Sequence, residues 1–215
     1  MKILIIGANG QIGTRLAHQL IESEHTPVAM VRKEEQVEKF EKDGILTVLA
    51  DLEEDISHAF KDIDGVVFTA GSGANTPKSQ TKVIDEEGAK KAVDEAGNAG
   101  VTRFVMVSAL MANRDPHMWT DSMQHYYEAK SSADEYLRNS GLDYTVLMPG
   151  RLTNEKGTGM VELSKRIEDL KDRSITRDDV ASVIVNLLNA KNTINKSLDL
   201  LQGDTPVKEA VSKIS

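Results

Sequence analysis

Residues 2–13 read KILIIGANGQIG, and how this stretch is parsed decides the fold. A short unbroken apolar run over 3–6 gives way to glycines at 7, 10 and 13, and an amphipathic stretch follows to residue 23. A continuous apolar run of that length suits a strand covered on both faces. Gly7 permits a tight exit from the strand, Gly10 leaves room for a phosphate to approach the backbone, and Gly13 lets the next helix pack closely. With Asn9 between the first two glycines, phosphate oxygens would lie on N–H groups at the helix start, Gln11 and Ile12 among them. The helix dipole favours negative charge there. The stretch therefore predicts a strand, a glycine turn and a helix that together hold the pyrophosphate of a dinucleotide.

The pattern repeats along the chain. Apolar runs at 2–7, 27–32, 45–50, 65–71, 103–109 and 144–150 are strand candidates. Helix candidates at 11–23, 34–42, 53–60, 81–99 and 123–139 separate them. Such alternation predicts parallel βαβ units, and hence an α/β, Rossmann-type doubly wound parallel sheet. Asp51 followed by Glu54 reads as a helix N-cap with its partner, and Gly100 as a helix C-terminal glycine. Residues 71–82 read as a mobile polar loop, and 110–124 as a second irregular segment that holds the one Trp and three of the eight Met. Beyond Gly150 the alternation weakens to a helix at 178–190, a strand at 198–201 and a helix at 206–213. With no long linker, residues 1–215 are expected to form one domain whose part from about 151 is a small extension contributing to the substrate pocket.

Composition narrows the classes. The formal net charge of −8 and the lack of a long basic run argue against a nucleic-acid or anionic-membrane surface. No cysteine is present, which removes disulfides and thiolate chemistry. The first ten residues are too briefly apolar for a signal peptide or a membrane span. A cytoplasmic protein, monomeric or homodimeric, acting on a small-molecule substrate is expected. The histidines give no metal-ligand spacing, so no metal site is expected.

The GxxGxxG spacing, together with IDEEGAKKAVDEAGNAGVTRFVMVSA (84–109), YYEAK (126–130), GLDYTVLMPG (141–150) and ITRDDVASVIVNLL (175–188), resembles the small atypical branch of the short-chain dehydrogenase/reductase superfamily. TRDDVA (176–181) is the most distinctive of these blocks. The resemblance implies a nicotinamide dinucleotide cofactor. Asp51 and Leu52 resemble the family's adenine-contacting turn, and Thr69, Ala70 and Gly71 its small-residue turn beneath the adenosine ribose. Lys130 and Pro149 complete the implied cofactor contacts, Lys130 at the nicotinamide ribose. Relatives often read Arg-Pro-Gly where this chain has Met148-Pro149-Gly150, which removes a polar group from the nicotinamide end. The superfamily's upstream Asn has no identifiable counterpart here.

Strand two ends with Arg32 and Lys33 where an acid would hold a free ribose 2′-hydroxyl. A guanidinium suits a 2′-phosphate, so NADP(H) is expected in preference to NAD(H); the alternative is an Arg32 that merely pairs with Glu34 or Glu35.

On a helix through 123–139, Tyr126 shares a face with Ala129, Lys130, Ala133 and Leu137, and that stripe points inward. Tyr127 shares its face with Lys130, Ser131, Asp134 and Arg138 and points to water. A lysine ammonium beside Tyr126 is expected to lower the phenol's pKa toward a useful range for proton transfer. Ser108, at the end of strand five, is placed to hydrogen-bond a substrate carbonyl, or is only a turn residue. Ser108, Tyr126 and Lys130 match the superfamily's catalytic residues in order and element. The plainer reading of the last two is a buried tyrosine beside a snorkelling lysine. His117, Met118, Trp119, Met123 and His125 are expected to roof the pocket, with His125 exposed. The function expected is NADPH-dependent reduction of a small carbonyl, quinone or flavin-like acceptor. The alternatives are a non-catalytic NAD(P) sensor and, last, a sugar-nucleotide epimerase or dehydratase.

Overall fold

The computed structural model describes residues 1–73, 77–170 and 174–215; the expected loop over 71–82 includes 74–76, which lie outside them. The six apolar runs form strands β1 (Lys2–Ile6), β2 (Thr26–Val31), β3 (Leu46–Leu49), β4 (Gly65–Phe68), β5 (Arg103–Val107) and β6 (Asp143–Pro149). They pair in parallel in the order β3-β2-β1-β4-β5-β6. β1 shows why these runs are unbroken. Ile3 and Ile5 enter one apolar layer and Leu4 and Ile6 the other, and all four have no exposed surface. Burial of each such side chain contributes roughly 1.5–3 kcal/mol.

The chain winds first to one side of β1 and then, through β4, to the other. The C-terminal ends of β1 and β4 thus flank the switch point, where ligands of open parallel sheets bind. Helix α1 (Gln11–Ile21) leaves the glycine turn and α2 (Glu34–Glu41) connects β2 to β3. A continuous helical stretch then runs through α3 (Lys78–Thr81), a π-helical segment (Lys82–Gly88) and α4 (Ala89–Asn98). Helix α5 (Gln124–Arg138) carries Tyr126 and Lys130 and packs on the π-helical segment.

The expected helix at 53–60 is only a 3₁₀ turn, Ser57–Phe60. Short acidic side chains take over the backbone donors there. The Asp51 carboxylate accepts from the Glu53 amide at 3.1 Å and that of Asp55 from the Ser57 amide at 2.9 Å. Such local bonds compete with helix. Asp51 therefore stabilises a turn and caps no helix.

After β6 the structure is richer in strands than the sequence pattern suggests. β7 (Arg151–Thr153) and β9 (Ser174–Thr176) form a separate parallel pair. β8 (Met160–Ser164), β10 (Lys196–Gln202) and β11 (Thr205–Pro206) extend the main sheet, with β10 parallel to β6, β8 antiparallel to β10, and β11 antiparallel to β8. Helices α6 (Arg177–Leu188) and α7 (Val207–Ser212) cover this end. The TRDDVA block is a structural clasp. The Thr176 hydroxyl caps α6 by accepting from the Asp179 amide at 3.0 Å. Asp179 accepts from the amides of Thr158 and Gly159 at 3.0 and 2.8 Å, and Asp178 from Arg15 on α1 at 2.8 Å. No helix among the described residues is long and apolar enough to cross a membrane.

Candidate functional site

A cavity of about 490 Å³ opens at the switch point. Gly7, Asn9 and Gly10 line it from the glycine turn, Arg32 from the end of β2, Asp51 and Leu52 from the turn after β3, and Thr69, Ala70 and Gly71 from the exit of β4. Nine of the expected cofactor residues thus meet around one space. Gln11, Ile12, Gly13, Lys130 and Pro149 do not line it. Ile12, Gly13 and Pro149 turn into the interior, and Lys130 lies buried beside Tyr126. Gln36, Ser72, Pro77, Gln80 and Ile84 also line the cavity. These had no motif to announce them, since they come from helix faces and a loop that only the folded chain brings near.

The three glycines have separable roles. Gly7 adopts a φ of +87°, and a β-carbon there would stand 2.5 Å from the Ala70 nitrogen, because strands β1 and β4 end against each other. A β-carbon at Gly13 would stand 2.3 Å from the Gly7 carbonyl oxygen, which is the close packing of helix on strand. At Gly10 the Gly7 oxygen, at 3.1 Å, is the one described atom beyond the adjoining residues within 4 Å of a β-carbon, and Gly10 lines the cavity. Apart from that tight contact, the described protein leaves the position open. Such an opening beside the cavity is compatible with a pyrophosphate cradle.

At the far end of the cavity, Arg32 is exposed, and its backbone amide is held by Gln36 Oε1 at 3.0 Å. Lys33, and not Arg32, pairs with Glu35, at 3.6 Å. Among the described residues the Arg32 guanidinium has no carboxylate partner. A second cation stands nearby, Lys39, which donates to Asn9 Oδ1 at 3.2 Å. Lys39 sits one helical turn beyond Gln36 on α2, and its tie to the glycine turn, 30 residues away, could not be read from spacing.

Behind this cavity lies a buried polar cluster. Lys130 is 4% exposed, and its ammonium sits 5.8 Å from the centroid of the Tyr126 ring, so the expected pair meets. Lys130 also forms an ion pair at 3.0 Å with Asp85, a fully buried carboxylate of the π-helical segment. Burial works against the ammonium, but Tyr126, Asp85 and Asp134 outweigh it and hold its pKa above the ordinary value. The Tyr126 pKa moves opposite to expectation. Burial raises it, and the carboxylates of Asp85 and Asp134 and the neighbouring Tyr127 add to the rise, while Lys130 alone opposes them. With two carboxylates about it, Lys130 does not present Tyr126 with an uncompensated positive charge.

Two further expectations about α5 are corrected. Tyr127 does not face open water. It is half-buried and packs on Trp119, with ring centroids 5.6 Å apart, and edge-on to Tyr126 at 5.5 Å. Asp134, on the same stripe, is 1% exposed and accepts a hydrogen bond from the Ser108 hydroxyl at 2.6 Å. Ser108 is itself buried and directs its hydroxyl proton to Asp134. His125 is half-buried where exposure was expected. Met148 lies wholly in the core, so no polar group reaches the site from that position.

This geometry has known counterparts. The model of a family described as NAD(P)H-binding matches residues 7–191. The chain belongs to the NAD(P)H-binding family. A Bacillus subtilis (strain 168) family relative described as the uncharacterized sugar epimerase YhfK is 47% identical over 218 residues, covering 100% of both chains. A solved structure from Bacillus halodurans, provisionally described as an NAD-dependent epimerase/dehydratase, is similar with a TM-score of 0.96 and 45% identity over 99% of each chain. The oxidoreductase ylbE from Lactococcus lactis follows at a TM-score of 0.88 and 31% identity, covering 100% of this chain and 96% of its own. As a family member the chain is of NAD(P)H-binding, oxidoreductase type, with a nicotinamide cofactor.

Proposed function

We propose that the protein is an NADPH-dependent reductase of a small carbonyl, quinone or flavin-like acceptor, with Tyr126 as proton donor. The observation that carries this reading is the environment of Tyr126, whose pKa burial raises above its ordinary value while Lys130 stays charged beside it. A tyrosine in that state keeps its proton at neutral pH. It is set to give a proton to an oxygen that gains negative charge, and poorly set to begin by taking one. When bound, the nicotinamide supplies the hydride. Gly7, Gly10 and the start of α1 hold the pyrophosphate, and Thr69, Ala70 and Gly71 leave room for the adenosine ribose. Arg32, with Lys39 near it, receives the 2′-phosphate that distinguishes NADPH. Lys130 steadies the phenol's charge as the proton leaves and reaches the nicotinamide ribose. Residues from about 151 onward, with the 110–124 segment, supply the acceptor pocket.

The names of the two Bacillus relatives favour a second reading, internal redox epimerisation of a sugar nucleotide. That chemistry opens with oxidation and needs Tyr126 as a base. The YhfK relative spans the same length as this chain, so its name brings no additional substrate domain with it. A pure sensor of dinucleotides would have no use for a half-buried proton donor held beside a charged lysine.

Calorimetric titration with NADPH and NADH, followed by single-turnover oxidation of bound NADPH by quinones, aldehydes and flavins, tests the proposal. NADPH should bind at least about tenfold more tightly, a difference of about 1.4 kcal/mol, and Arg32→Asp should erase the preference. Tyr126→Phe should slow carbonyl reduction by roughly 10²–10⁴ with little change in cofactor affinity. Equal affinities would remove the NADPH assignment. A cofactor that stays bound and is never net oxidised while a sugar nucleotide turns over would replace reduction with epimerisation.

A further inference from the structure

We infer that Asp85 is the positioning residue of this site, its carboxylate fixing the Lys130 ammonium with one oxygen and the wall of the dinucleotide cavity with the other. Oδ1 lies 3.0 Å from Lys130 Nζ, and Oδ2 accepts the Ser72 amide at 2.9 Å. Ser72 and its neighbour Gly71 both line the cavity. A β-carbon at Gly71 would stand 3.2 Å from Asp85 Oδ1, so a side chain at 71 would crowd the carboxylate. One buried group thus joins the cofactor wall to the proposed proton-transfer pair. It lies in a one-turn widening of a helix from α to π geometry, a distortion found frequently at functional sites.

Every polar group that faces Lys130 has a place in this arrangement. Tyr126 and Asp134 flank it on α5, Asp85 faces it from the π-helical segment, and the Val107 carbonyl lies 3.5 Å away at the end of β5. A lysine ammonium is a point charge on a flexible stem with three protons. Asp85 and Val107 take two directions and leave a third N–H for a ligand. Without Asp85 the ammonium keeps its charge only against burial, and its direction is set by the weak Val107 contact alone.

The meaning for turnover rests on the reductase reading, but the test begins without cofactor or acceptor. In protein labelled with ¹⁵N-lysine, the Lys130 ammonium resonance is assigned by its loss in Lys130→Met. Asp85→Asn keeps an acceptor for Ser72 and removes the charge, so the Lys130 titration should move down by about one pH unit or more. Turnover with NADPH should fall about tenfold or more while its KM changes less than about threefold, the mark of an interaction that matters beyond binding. The double variant Asp85→Asn/Lys130→Met removes both charges together and should unfold at a higher temperature than Asp85→Asn. A folded Asp85→Asn with an unmoved Lys130 titration overturns the inference. Should Asp85→Asn fail to fold, the unmodified protein decides. A Lys130 ammonium whose protons exchange as fast as those of surface lysines overturns the inference, and slow exchange supports it. A shifted titration in an enzyme whose NADPH no acceptor oxidises would leave Asp85 in its role and remove the reductase reading.

Discussion

Asp134 accepts a hydrogen bond from the Ser108 hydroxyl at 2.6 Å, while its second oxygen has no hydrogen-bond partner among the described residues. Burial raises its pKa to about 6, although the Ser108 bond and the charges of Arg138 and Lys130 pull the other way. An unfolded aspartate titrates near about 3.9. Between these two values the folded chain binds the proton more tightly than the unfolded one. Stability from this group is therefore present below about pH 4 and is lost as pH rises through about 6. Asp134→Asn, which still accepts from Ser108, should raise the melting temperature at pH 8 and lose that advantage by pH 4. Thermal unfolding at the two pH values measures it, and an equal effect at both would assign the change to packing. The same bond bears on Ser108. Its single proton goes to Asp134 while that carboxylate is ionised, so Ser108 has none to offer a substrate carbonyl in that state. Neither carboxylate of the cluster was visible in the sequence as part of the site. Asp85 lies 45 residues before Lys130 in the chain, and Asp134 fell on the Tyr127 stripe, which was read as facing water. α5 packs against both the sheet and the π-helical segment, which widens its buried arc beyond one stripe.

At the scale of elements, the glycine turn separates binding from folding. Gly10→Val should abolish dinucleotide binding and leave a folded domain, since the protein places only the Gly7 oxygen near that position. Gly13→Ala should act the other way. Its methyl group would meet the Gly7 oxygen at 2.3 Å and the Ala8 α-carbon at 2.7 Å, forcing α1 away from β1. Circular dichroism melts and calorimetric titration of both variants check the contrast, and a Gly13→Ala as stable as the parent would show that α1 can shift freely. This unit was legible because each of its constraints is local, a strand, three glycines and a helix within twenty residues. The six parallel strands were legible for the same reason, as each is a short apolar run; β3, at the sheet edge, is the one not covered on both faces, and it leaves Leu46 and Leu49 exposed. β8 was not. Its pattern is partly buried, buried, exposed, buried, partly buried, set by what β10 and β11 place beside it. The missed 3₁₀ turn at Ser57–Phe60 reflects Asp51 and Asp55, whose side chains offered the backbone a nearer partner than a helical carbonyl.

Across the whole molecule, the segment at 110–118 is held to the C-terminal strands by one buried ion pair. Arg114 and Asp199 lie 2.5 Å apart with side chains 2% and 0% exposed, and the backbone of Ile167 bonds to both. Arg114 follows β5 and Ser108, while Asp199 sits in β10, so the pair ties the proposed acceptor pocket to the extended sheet. A buried pair of this kind does not add stability by attraction alone, because both charges have been taken out of water. Losing one partner is the costly event. Asp199→Leu should destabilise the domain by about 3–5 kcal/mol, since the guanidinium stays buried without its counter-charge. Arg114→Met/Asp199→Leu, which removes both charges and retains apolar volume next to Leu110, Ile167 and Leu201, should recover most of that loss. Urea unfolding of the two variants measures it. If the pair serves only stability, the recovered double variant should also reduce acceptors at the parent rate. If it holds the pocket in shape, the double variant should unfold like the parent and bind NADPH like the parent, yet show a raised KM for the acceptor. A double variant no more stable than Asp199→Leu would show that the Ile167 bonds, and not the charges, hold this corner together.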